Sequence, residues 1–202
     1  MPVTREGIHA ALEPVRPDIA RLVPDRQMTR IVPVECPGLS RYSIWQLTHL
    51  HPHKPIVHYL GFAEDSEIFV LSERPDQFVA MVDADGDVSI DSEAAAASFL
   101  RAYLVSTRRL TRLTYLVESV DDMKFRPKLD DAEAKERDRV RQEYAGTIVP
   151  LAAVKDGDGY RVEAYQVQEQ DLVKITATVS TAGAIETDSA VLESNLPLVY
   201  GA

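Results

Sequence analysis

Four of the chain's five histidines fall within ten residues, in the run His49-Leu-His51-Pro-His53-Lys-Pro-Ile-Val-His58. Imidazole carries a proton near neutral pH and ligates transition metals, so chemistry is expected here first. On a strand, His49, His51 and His53 would share one face, because side chains repeat every two residues. Two such imidazoles with a distant third ligand could hold zinc, nickel or non-haem iron. Pro52 and Pro55 argue against that strand, since proline cannot complete a sheet ladder. The competing reading is a solvent-facing connection that happens to be rich in histidine.

The histidine pair also falls short of the cupin metal motif. That motif wants a Glu four or five positions after the second His, where this chain has Pro55 and Ile56. His58 differs from its neighbours because it lies in the apolar run Ile56-Val-His-Tyr-Leu-Gly-Phe62. Buried beside a carboxylate it could act as a general base, with Tyr59 or Tyr115 bonding the substrate. The plainer reading is a core histidine with structurally bonded ring nitrogens.

Other motifs are incomplete. Asp83, Asp85, Asp87, Asp91 and Glu93 suggest a calcium loop, but counting from Asp83 puts Val88 sixth and Ala94 twelfth, where an EF-hand needs Gly and Glu. The chain carries no Gly-rich phosphate loop, no GxGxxG and no GxSxG. The single Cys36 excludes an internal disulfide and a multi-cysteine zinc site. No cofactor is expected.

The elements that must position these residues follow from spacing. Residues 4–23 read as a helix capped by Thr4 and broken at Pro14 and Pro17. Residues 24–40 read as loop or extended chain. Strands are expected over 41–48, 56–62 and 67–71, and again over 77–82 and 87–90, flanking a hairpin at Asp83-Ala-Asp-Gly86. The spacing predicts a long helix over 91–109, with Ala96, Phe99, Leu100, Tyr103 and Leu104 on one face. Phe99, Tyr103 and Tyr115 could line a cavity, although such a stripe is more often plain core. Residues 112–120 fit either a strand or a helix face, and β-branched and aromatic content favours strand. A polar helix is expected over 129–145, with a Glu133–Arg137 pair and a thin stripe that leaves it exposed or against a partner. A β-meander follows over 147–193.

These elements predict a single α+β domain over residues 1–202, with an N-terminal helical segment (4–23) and the C-terminal meander. Its mainly antiparallel, curved sheet would pack on the 91–109 helix, and the nearest architectures by analogy are cystatin-like or NTF2-like cones.

The net charge of −10 argues against a nucleic-acid partner. The absence of a long apolar run argues against a membrane, and with the N-terminal sequence suggests a cytoplasmic protein. Charge is uneven. Ten carboxylates and one base lie between Glu64 and Glu93, and Arg101, Arg108, Arg109 and Arg112 then follow with no acid among them. The leading expectation is a non-catalytic binding or assembly protein. It would engage a protein partner or itself as a homodimer through the acidic stretch and the polar helix. The alternatives are a small cone-shaped enzyme using His58 on a small molecule, and a metal-binding protein using His49, His51 and His53.

Overall fold

The computed structural model describes residues 4–199. Helix α1 (Arg5–Leu12) begins where the Thr4 hydroxyl accepts the Gly7 amide at 3.1 Å, and helix α2 (Pro17–Ala20) begins at Pro17. Proline fits there because the first helical N–H has no intrahelical partner. Both helices cover one face of a four-stranded antiparallel sheet: β1 (Thr29–Val34), β2 (Tyr42–His49), β3 (Ile56–Ala63) and β4 (Ile68–Val70), in that order. Alternation sorts its side chains. Leu47, Leu60 and Phe62 join Ile8, Leu12 and Ile19, while Tyr42, Ile44, Tyr59 and Ala63 join the core on the other side. The sheet is therefore apolar on both faces. β1 lies within the span read as loop or extended chain, and Pro33 is tolerated there because β1 is an edge strand.

The strands expected over 77–82 and 87–90 are not formed. Helix α3 (Pro75–Asp85) occupies most of that span, and Gly86 closes it in the left-handed region at φ +71°. A glycine of positive φ serves a hairpin turn and a helix C-terminus equally well. The deciding pattern is Phe78, Met81, Val82 and Asp85, buried at helical spacing after a proline at the first helical position.

Helix α4 (Glu93–Ser106) starts with the Ser92 hydroxyl accepting the Ala95 amide at 3.2 Å. Ala96, Phe99, Leu100 and Leu104 are buried as expected and Tyr103 is half-buried. Ala102 and Ser106 are buried as well, because β structure lies on two sides of this helix. One core cluster contains Tyr59 of the first sheet, Phe78 and Phe99 of the helices, and Val162 and Ala177 of a second sheet.

That second sheet holds β5 (Thr114–Val117), β6 (Ala152–Asp156), β7 (Gly159–Gln168), β8 (Asp171–Ser180) and β9 (Ile185–Glu193). β5 and β6 pair with opposite halves of β7, then β8 and β9 follow, and every pairing is antiparallel. The fold is thus α+β with antiparallel β structure, but its strands form two sheets and not one. Helices α3 and α4 stand between the two groups in the chain, and the three-residue β4 offers little edge to extend. The meander begins at Ala152, later than residue 147.

Helix α5 (Asp131–Tyr144) has a reciprocal cap between Asp130 and Glu133. Glu133 also pairs with Arg126, and Arg137 pairs with Asp138, so the expected Glu133–Arg137 pair is not made. Only Val140 and Tyr144 of α5 are buried, in agreement with its thin stripe. Among the described residues no helix is long and apolar enough to cross a membrane.

Candidate functional site

The segment linking α4 to β5, residues 107–113, carries Arg108, Arg109 and Arg112 and is fixed at several points. The Thr107 hydroxyl donates to the Tyr103 carbonyl at 2.7 Å, finishing the helix. The Glu73 carboxylate accepts the Leu110 and Thr111 amides at 2.7 and 3.1 Å and the Thr111 hydroxyl at 3.1 Å. These bonds, led by the Thr111 amide, outweigh burial and hold the Glu73 carboxyl below the usual carboxylate range. Glu73 does this from the left-handed region at φ +60°, an uncommon conformation for a residue with a side chain. On the other side, Arg112 pairs with Glu169 at 3.0 Å, and the Glu169 amide donates to the Leu113 carbonyl at 2.7 Å.

Arg108 turns inward from this segment. Its Nη1 donates to the Thr114 carbonyl at 3.1 Å and its Nη2 to the Tyr59 hydroxyl at 3.4 Å. Its Nε is enclosed without a hydrogen-bond partner. No carboxylate among the described residues forms an ion pair with it.

Two clefts flank the segment and share Arg108, Arg109, Arg112 and Thr114 in their walls. The smaller, of about 510 Å³, lies between the end of α4 and the second sheet and is lined by polar groups such as Gln166, Thr187 and Ser189. The larger, of about 720 Å³, is lined by the start of β3 and the start of β5. Its walls bring together Arg16, Lys54, Arg108, Arg109, Arg112 and Lys124, with Glu73 as the one carboxylate. Arg16 is paired with Asp18 and Arg112 with Glu169, which leaves Lys54, Arg108, Arg109 and Lys124 against the one Glu73 carboxylate, so the cleft is net positive within a chain of net charge −10. Apolar surface from Ile56, Val57, Leu110 and Leu113 lies among these cations.

His58 and Tyr115 both line this larger cleft. Burial, reinforced by Arg16 and opposed by Asp18, pulls the His58 imidazole below its ordinary pKa. Burial pushes the Tyr115 phenol up, while the Lys124 amide, donating to its oxygen at 2.9 Å, opposes the rise. Tyr59 is not in the cleft wall. Neighbours on a strand face opposite sides, so Tyr59 is buried in the core behind and reaches the site only through Arg108.

Of the three other histidines of the run, His51 lines the larger cleft with His58, but the three do not converge on one point. β2 ends at His49, whose Nδ1 lies 2.8 Å from the Thr29 hydroxyl. His51 and His53 are exposed, with rings 5.5 Å apart. No group of three His, Cys, Asp or Glu side chains placed to hold a metal ion occurs among the described residues. Cys36 has its thiol pushed up to about 12, chiefly by burial and also by Asp85.

The acidic stretch is largely engaged with the protein itself. Asp65 and Glu67 bond Arg41, Asp76 bonds Arg74, and Glu93 accepts the Lys155 amide. Asp85, read from sequence as part of a turn, accepts the backbone amides of Ser40, Arg41 and Tyr42 and the Ser40 hydroxyl. The acid-free run from Arg101 to Arg112 was the sequence signal for the cationic wall. Arg16, Lys54 and Lys124 join it from distant loops, and no local pattern marks them.

Comparison of the chain with family models, with curated proteins and with solved structures finds no match.

Proposed function

We propose that this chain is a non-catalytic binding protein that engages an anionic partner protein through the larger cleft. The observation that supports this reading is Arg108, a partly buried guanidinium that lines the cleft and has no ion-pair partner among the described residues. Holding a charge partly out of water without a counter-ion carries a desolvation cost. A partner carboxylate would offset that cost on binding. The surrounding cations add a local positive field that steers an acidic partner, and the negative remainder of the surface disfavours a long polyanion such as nucleic acid.

The test is affinity purification from the native host with the wild-type chain and with Arg108→Gln and Arg109→Gln variants. A partner retained by wild type, released by salt and lost from both variants supports the reading. A partner retained equally by all three places recognition elsewhere. Homodimerisation falls within this reading if the acid-bearing partner is a second copy, and sedimentation of the purified chain distinguishes that case.

A second reading has one specific observation in its favour, that His58 and Tyr115 line the same cleft. A neutral imidazole there could accept a proton from a bound anionic small molecule, with Tyr115 bonding the substrate. The analogy to a cystatin-like or NTF2-like cone belongs to this reading, with the cleft in the place of the cone's interior. Solvent-deuterium incorporation into a panel of small carboxylic acids, lost in His58→Gln, would favour it over simple binding.

A further inference from the structure

The larger cleft contains an unfinished sheet edge. On its outer side, β3 is paired by β4 from Phe62 to Leu60, and the ladder continues irregularly for one more step. The Leu71 amide donates to the Tyr59 carbonyl at 2.9 Å, and the Tyr59 amide donates to the Ser72 hydroxyl at 2.7 Å. The chain then turns away at Glu73, in its left-handed conformation, and enters α3 at Pro75. Backbone groups of a strand alternate between its two edges, so Val57 presents its N–H and C=O on the same outer edge as Tyr59. β2 pairs with the opposite edge. No strand of the described residues lies beside Val57 on the outer side, and Val57 lines the cleft.

An open edge of one residue's N–H and C=O at Val57, with Pro55 beyond it offering a carbonyl alone, and a cationic wall therefore bound the same space. Inorganic anions would use only the charges, and a compact organic anion would leave the ladder unpaired. An extended peptide satisfies both, because its backbone pairs with the edge while its side chains alternate between surfaces.

Resting on the anionic-partner reading above, we propose that the cleft takes an extended acidic–apolar segment of the partner protein, which adds as a short strand against Val57 in line with β4. Carboxylates of that segment meet Arg108 and Arg109, and its apolar side chains meet Leu110 and Leu113. The segment fills the place that β4 leaves when the chain departs at Glu73.

The experiment uses the full chain and an array of octapeptides in which Asp or Glu alternates with Val, Ile, Leu or Phe. Matched peptides carry Lys in place of the acids, and a third set is N-methylated at alternate backbone nitrogens. The expected result is binding by acidic peptides and not by their lysine counterparts. N-methylation of the edge that faces β3 should weaken binding by about tenfold, the effect of losing backbone hydrogen bonds. Hydrogen exchange at the Val57 amide should slow in the complex. Val57→Pro should reproduce the weakening, and the N-methylated peptides supply the same test without touching the fold.

Equal binding by N-methylated peptides, or unchanged exchange at Val57, would overturn strand addition while leaving charge capture by the cleft in place. If no acidic peptide binds but anilinonaphthalene sulfonate binds and is lost in Arg108→Gln, the occupant is a small organic anion and the proposal fails. If neither peptides nor the dye bind in a charge-dependent way, the anionic-partner reading fails with it.

Discussion

Arg108 and Tyr59 meet with the guanidinium carbon 5.9 Å from the ring centre and Nη2 donating to the phenolic oxygen at 3.4 Å. Arg108 follows the last turn of α4, and Tyr59 lies at the end of the outer ladder of β3, so the contact joins the central helix to the first sheet. It also fixes the side chain of Arg108 in the wall of the larger cleft.

Removing the Arg108 charge while keeping its bulk is expected to weaken partner binding without weakening the fold. Arg108→Met should unfold at the same denaturant concentration as wild type or a higher one, a gain of about 0–1 kcal/mol, because an uncompensated charge leaves a confined site. Equilibrium urea unfolding reads this directly. A loss beyond about 2 kcal/mol would show that Arg108 holds the fold together, since breaking a compensated buried pair costs about that much or more.

Asp85 is expected to be among the most costly single carboxylates to remove. It is 8% exposed and holds the start of β2 against the end of α3. Asp85→Ala leaves the amides of Ser40, Arg41 and Tyr42 without their acceptor and should cost about 3 kcal/mol. Burial raises the Asp85 pKa, but the Arg41 amide, the Ser40 hydroxyl and the Tyr42 and Ser40 amides together outweigh it, and the net shift is downward. A carboxylate depressed in the folded state stabilises above its unfolded value, near 3.8, and loses that stabilisation as pH falls through the folded value. Asp85→Asn should therefore flatten the acid limb of the stability curve below that point. An acid limb identical to wild type would contradict the assignment.

His58 carries a dependence of the same sign at higher pH. Burial, then the Arg16 charge, depress its folded pKa below the ordinary 6.5, against a smaller pull from Asp18. The folded chain thus binds fewer protons at this site than the unfolded one. Stability is complete above about 6.5 and declines as pH drops from there through the folded value. NMR titration of the ring should place its midpoint below 6.5 in the free protein. A bound acidic segment should raise that midpoint, because an anion favours the imidazolium. A free-state midpoint at or above the ordinary value would show the ring to be solvated.

Gly61 sits where β3 passes Met81 of α3. A Cβ at this position would lie 2.2 Å from the Met81 sulfur, and Met81 is fully buried. Gly61→Ala is expected to cost about 1–3 kcal/mol through overpacking, measured by thermal or urea unfolding. Pairing it with a smaller residue at position 81 should recover part of the loss, and a fully additive double variant would contradict direct crowding.

The parts legible in the sequence are those with local signals. α4 and α5 follow from caps and helical spacing at Ser92, Phe99 and Asp130, and β8 follows from strict alternation at Val173, Ile175 and Ala177. α3 was hidden because Gly86 supports two kinds of chain reversal and the Asp-rich run around it resembled a turn. β1 was legible only as loop or extended chain, because Pro33 argues against a paired strand except at an edge. At the site, His58 and Tyr115 were both singled out and the fold places them in one cleft. Tyr59 was grouped with them although strand alternation sends it to the far face. The cation cluster was only half visible, because Arg16, Lys54 and Lys124 reach Arg108 through tertiary packing alone.

The most direct test of the cleft as the recognition site is an amide chemical-shift map of the full chain titrated with an acidic–apolar octapeptide. The expected perturbations centre on Val57, His58, Ser72, Glu73 and the segment from Arg108 to Tyr115, and they fade as salt is added. Perturbations centred on α5 or β9, with those residues unmoved, would contradict it.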